Sequence, residues 1–139
     1  MTLRTFSILY GFVFLLAGVA GFIPGLSPEH VHPGVVATGS SRLALGLFPV
    51  NLLHNLVHLA FGVWGLLAAR SAVGARAYAR AVAIIYAVLT VLGLFPGTNV
   101  MFGLVPLYGN DIWLHALLAV VAGYFGFVHR ERAGGTSHG

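Results

Sequence analysis

The chain has 139 residues, of which 58% are hydrophobic and 7% charged, and its mean hydropathy is +0.93, well outside the range of a water-soluble domain. The formal net charge of +4 comes from arginines placed singly along the chain, with no lysine and no basic stripe of the kind that binds nucleic acid. Cysteine is absent, which excludes disulfides, thiolate metal sites, iron–sulfur clusters, cysteine nucleophiles and covalently attached haem.

Four apolar stretches, residues 5–23, 50–69, 77–95 and 112–128, are each long enough to cross a hydrocarbon core of about 30 Å at about 1.5 Å per residue. The first follows Arg4 as a signal peptide would, but it lacks a small-x-small cleavage site and is read as a retained helix. Pro24-Gly25 ends it. The loop that follows carries Glu29, His30 and His32, which could cap a site or capture a metal, and then Arg42. The second stretch holds His54 and His58, four residues apart, with Asn51 and Asn55 beside them. Gly74 marks the next reversal, the third stretch carries Tyr86, and Pro96-Gly97 ends it. In the fourth, Asp111 and His115 repeat the four-residue spacing. The tail, residues 130–139, is polar and Gly-rich and is predicted to be a disordered cytoplasmic extension.

With four spans, Arg4, Arg70, Arg76, Arg80, Arg130 and Arg132 fall on one side and Arg42 on the other, so the positive-inside rule predicts cytoplasmic termini. Arg42 and Trp113 then suit the outer interface, and Arg70, Arg76 and Arg80 the inner headgroups.

The segment GLFPVNLLHNLVHLAFGVWGLL from Gly46 aligns without a gap to GLVPLYGNDIWLHALLAVVAGY from Gly103. Pro49 matches Pro106, His54 matches Asp111 and His58 matches His115. The preceding segments also correspond, RTFSILY from Arg4 with RAVAIIY from Arg80, which makes Tyr10 and Tyr86 equivalent. The expected fold is therefore an all-α, four-transmembrane-helix bundle of two pseudo-symmetric hairpins, residues 4–70 and 76–129, within one domain of residues 1–129. Both hairpins enter from the cytoplasm, which predicts an axis along the membrane normal. Residues i and i+4 share a helix face, so His54 and His58 would meet Asp111 and His115 if the second and fourth helices meet near that axis. His58 and His115 each lie nine residues after their proline, about 13 Å along a helix that starts there, which predicts a site in the outer leaflet.

The tracts FPVNLLHNLVHLAFGVWGLL and GLVPLYGNDIWLH, with their Asn-x-x-His-Asn-x-x-His and Asp-x-x-x-His signatures, resemble the bacterial four-helix membrane family known as domain of unknown function 4383. The resemblance runs from the first helix to the fourth and omits the tail. It implies four spans in a bacterial inner membrane and no established activity.

An ionisable group in hydrocarbon costs several kcal/mol unless paired or bound, so four at matched spacing point to function. Three readings fit. In the first, His54, His58 and His115 supply nitrogen, and Asp111 supplies oxygen or acts as a base, to a transition metal (Zn, Cu or Fe), with Asn51 and Asn55 orienting the imidazoles. Such a metal would support hydrolysis of a lipid-phase substrate or redox chemistry. In the second, His58 and His115 are axial ligands of haem b, with Gly62, Gly65 and Gly123 giving room for the macrocycle. In the third, the polar residues form a hydrogen-bonded network within a structural or accessory subunit. The partners expected are the lipid bilayer and a homo-oligomer or larger membrane complex, with no nucleic acid.

Overall fold

The computed structural model describes residues 1–131. Four helices dominate it: α1 (Leu3–Ala20), α2 (Leu52–Ala68), α3 (Ala72–Gly93) and α4 (Asn110–Gly123), the last running into a π-helical turn, Tyr124–Val128. The first three begin where a side chain satisfies an amide that the helix itself cannot. Thr2 Oγ1 accepts from Thr5 N–H at 3.1 Å, Asn51 Oδ1 from His54 N–H at 3.0 Å and Ser71 Oγ from Gly74 N–H at 2.9 Å. Those caps move two expected boundaries: α3 begins five residues earlier than 77, and α2 begins at Leu52.

The all-α expectation needs one correction. Residues 42–50 form a hairpin in which β1 (Arg42–Ala44) pairs antiparallel with β2 (Phe48–Val50), Leu43 opposite Pro49. Leu45 and Gly46 turn it with positive φ of 53° and 71°. Outside the helices the backbone must find other partners for its N–H and C=O groups, and this ribbon, with the bridge from Glu29 to Arg42, supplies them. Val50, expected to open the second span, therefore belongs to the loop hairpin with Phe48 and Pro49.

Among the described residues, three helical segments are long and apolar enough to cross a membrane: Leu3–Ala20, Ala72–Gly93 and Asn110–Val128. The apolar α2 has 17 residues, about 25 Å at the helical rise. The polarity of the fold agrees: Leu16 and Val120 are 69% and 71% exposed, while Asn51, Asn55, His54, His58, Asp111 and His115 are buried. Apolar outside and polar inside is the arrangement hydrocarbon demands.

The chain packs as two hairpins, α1 on α2 and α3 on α4, while α2 touches α3 sparsely and α4 more sparsely still. The first hairpin closes tightly because of glycine. A Cβ on Gly65 would lie 2.9 Å from Gly11 Cα and 2.8 Å from the Tyr78 hydroxyl, and one on Gly62 would meet Leu15. Gly65→Ala is expected to cost about 1–3 kcal/mol, read as a lower denaturation midpoint in detergent. An unchanged midpoint would show that α1 and α2 separate without penalty.

At the end of the bundle that carries Leu3 and Glu131, Arg80 Nε donates to Gly126 O at 2.9 Å and Arg76 Nη1 to His129 O at 3.1 Å. These guanidinium groups thus hold carbonyls of the π-helical turn and of the residue that ends it. Leu3 N–H donates to Glu131 Oε1 at 2.6 Å, so the expected disordered tail is tied down at its first residues. The rest of it, including Arg132, lies outside the described residues.

Candidate metal centre

The Asn51 cap sets the register of α2, placing His54 in its first turn and His58 one turn further in; Asp111 and His115 do the same in α4. Because the helices start after the prolines and not at them, His58 and His115 lie about 9 Å and 8 Å from their helix starts rather than 13 Å. All four are at most 8% exposed.

The imidazoles fill the gap that the α2 and α4 backbones leave. His54, His58 and His115 each offer a ring nitrogen, and the three atoms lie within 4.8 Å of one another. The His54 and His58 rings stand edge-to-face with centroids 4.5 Å apart, and His115 is 6.0 Å from His54. Asp111 joins at the margin, its Oδ2 lying 3.7 Å from His54 Nδ1. That is longer than a hydrogen bond. Among the described residues, Nδ1 of all three histidines and Oδ2 of Asp111 are buried without a hydrogen-bond partner. Unpaired buried polar atoms cost about 1–3 kcal/mol each; His54 Nδ1 and Asp111 Oδ2 face each other across 3.7 Å, while Nδ1 of His58 and of His115 has no partner among the described residues.

The expected orienting residues behave differently. Asn51 spends its carboxamide on the His54 amide and on the carbonyls of Ala37 and Leu104, at 3.0 and 2.7 Å, positioning the helix and the loops instead of a ring. Asn55 faces α1, where its carboxamide occupies the space a side chain at Gly21 would need, and it is unpaired. Tyr10 donates to Leu118 O at 3.2 Å, whereas its repeat counterpart Tyr86 packs edge-on against His115 at 5.0 Å. Of the three glycines expected to make room for a macrocycle, Gly62 and Gly65 are filled by α1 and Tyr78, whereas a Cβ at Gly123 would meet only Ala83 Cβ at 3.8 Å. A cavity of about 150 Å³ does adjoin the cluster, with His54, His58 and His115 on one side and an apolar accessible wall from α2, α3 and the 101–107 loop.

His32 is buried in the outer loop rather than open for metal capture. Its Nε2 lies 3.0 Å from both Arg42 O and Val50 O, and its Nδ1 2.7 Å from the Tyr108 hydroxyl. Carbonyls only accept, so Nε2 carries the hydrogen and Nδ1 accepts from Tyr108. Burial lowers the His32 pKa below its ordinary value, opposed by the two carbonyls and reinforced by His30; burial also raises that of Tyr108. A lowered imidazole pKa means the neutral ring stabilises the loop. That stability is complete above about pH 6.5 and declines as the pH falls below it. Limited proteolysis of residues 24–50 is expected to accelerate on acidification, and His32→Gln to flatten that dependence. Glu29 is 85% exposed and pairs with Arg42 at 3.5 Å on the surface.

Apolar helices around a buried polar core, with three imidazoles converging inside it, define a small helical membrane protein with a histidine cluster that can hold a metal. The chain belongs to the family described as domain of unknown function 4383, which it matches over residues 4–128. No curated protein and no solved structure matches it.

Proposed function

We propose that this protein binds a transition metal inside the membrane through His54, His58 and His115, with Asp111 as the partner that orients His54. The observation that carries the reading is the convergence of three buried ring nitrogens within 4.8 Å. Metal–nitrogen bonds of about 2.0–2.1 Å in a tetrahedron put neighbouring nitrogens about 3.3 Å apart, so side-chain shifts of about an ångström close the site. The Asp111 carboxylate, in the first turn of α4, is favoured by the helix dipole and is placed to accept from His54 Nδ1, which would direct Nε2 at the metal. Three protein ligands leave a position open, the pattern of sites that activate water or perform redox chemistry at zinc, copper or iron.

The haem alternative is disfavoured by space. Ligand pockets for molecules of drug size run to about 300–1,000 Å³, against the roughly 150 Å³ found beside the cluster. A purely structural network is disfavoured because Nδ1 of His54, His58 and His115 and the Asn55 carboxamide have no hydrogen-bond partner among the described residues.

Around this centre we place four spans, with α2 completing the set, both termini in the cytoplasm, the site towards the outer side and the hairpins 4–70 and 76–129 related as repeats in one domain. Local backbone supports the repeat. Leu45 and Gly46 and their counterparts Phe102 and Gly103 all have positive φ, and α2 and α4 begin within one position of equivalence.

The test is the metal content and visible spectrum of protein purified in detergent without chelator. About one zinc, copper or iron per chain without a Soret band is the expected result. A Soret band at haem stoichiometry would establish the haem reading, and no metal after reloading with each of the three ions would leave the network.

A further inference from the structure

The cavity beside the cluster has features that the metal reading does not use. Val57 on α2 and Ile85 on α3 flank it, 43% and 38% exposed on the lipid-facing surface, at the seam where the two hairpins touch sparsely. Leu89, Val105 and Leu107 continue the wall inwards to His58 and His115. We infer that this cavity is a binding site for a small, uncharged, nonpolar molecule, of diatomic-gas to benzene size, that enters laterally from the bilayer and comes to rest against the two imidazoles.

Three observations select that class. Apolar cavities of about 150 Å³ stay dry and admit xenon or benzene, whereas larger ligands need at least twice that space. The accessible wall is apolar, so a polar ligand would lose its hydrogen bonds to water without replacement. The mouth faces hydrocarbon, where nonpolar molecules are already concentrated. The inference rests on the cavity and not on metal ligation, so it stands or falls separately from the metal centre.

The experiment uses chelator-treated, metal-free protein in phosphatidylcholine nanodiscs with isotope-labelled histidine, titrated with benzene. Saturable ring-current shifts confined to the signals of the cavity-lining His54, His58 and His115 are expected, with His30 and His129 as controls outside the cavity. Filling the cavity with Ile85→Phe, or independently with Val105→Phe, is expected to weaken the effect by about tenfold or more, while Val57→Ala preserves or strengthens it. The inference is overturned if the shifts fail to saturate, if they extend equally to the control histidines, or if both filled variants respond as the parent does. It is equally overturned if the parent excludes benzene and its His58 and His115 signals move instead with lipid chain length, because the occupant is then an acyl chain.

Discussion

Replacing His58 and His115 together by leucine is expected to reduce bound metal from about one per chain to less than about a tenth, while the apoprotein remains folded. Removing two of three nitrogen ligands leaves His54 alone near Asp111, and a single imidazole cannot compete with water and buffer for a transition ion. Leucine is the informative replacement because the two side chains are buried with unpaired Nδ1 atoms. Exchanging buried, unsatisfied polar groups for apolar ones of similar size is neutral or stabilising, so the metal-free double variant should match or exceed the parent in thermal stability. A hydrogen-bonded network demands the reverse: no effect on metal content and a loss of about 1 kcal/mol or more for each pair broken. Metal analysis and melting curves on the same preparations separate the two.

Asp111→Asn carries the second large effect. The carboxylate lies 3.7 Å from His54 Nδ1 and is 1% exposed. Loss of a carboxylate that orients a ligating histidine typically costs about 10–100-fold in metal affinity. The variant should therefore keep the one-to-one stoichiometry and bind that much more weakly in a competition assay with a chromophoric chelator. If Asp111 were itself the fourth ligand, the electronic spectrum of the cobalt(II)-loaded protein would change its band pattern in the variant. With three histidine ligands in both proteins, the pattern is expected to be kept and to respond to added azide at the open position in each.

The residues themselves explain how much of this was legible in advance. His54 and His58 share a helix face by spacing alone, and the ungapped repeat paired them with Asp111 and His115 before any distance was known. That pairing named the residues to look for, and the packing of the bundle brings three of them, His54, His58 and His115, together. Asn51 is the opposite case. It sits beside the histidines in sequence and invites a role at the ring, yet a helix starting at Leu52 makes it the cap, and a capping side chain is turned back along the backbone. A capping residue one position before an apolar run was the signal available, and Pro49 obscured it by suggesting an earlier start.

His32 shows a different limit. Its partners are the Arg42 and Val50 carbonyls and the Tyr108 hydroxyl, up to 76 residues away, and no local pattern encodes a contact at that separation. The hairpin at residues 42–50 went unforeseen because three-residue strands carry too little alternation to stand out from an apolar run. Gly62 and Gly65, expected to leave space, instead admit α1, because whether a missing side chain creates a void or a contact depends on how closely the neighbouring helix approaches.

By itself, the sequence determined the membrane character, the four helices and their hairpin order, the family and the four ionisable residues. These follow from composition, period and internal repetition, which are properties of neighbours along the chain. Only the tertiary structure decided that three imidazoles converge while Asp111 stands beside one of them, that the asparagines serve the fold and not the rings, and that an apolar cavity opens against His58 and His115. Those outcomes depend on the separation of α2 from α4, on where each helix starts and on side-chain directions across the interface, and such distances are set by the packing of the whole bundle.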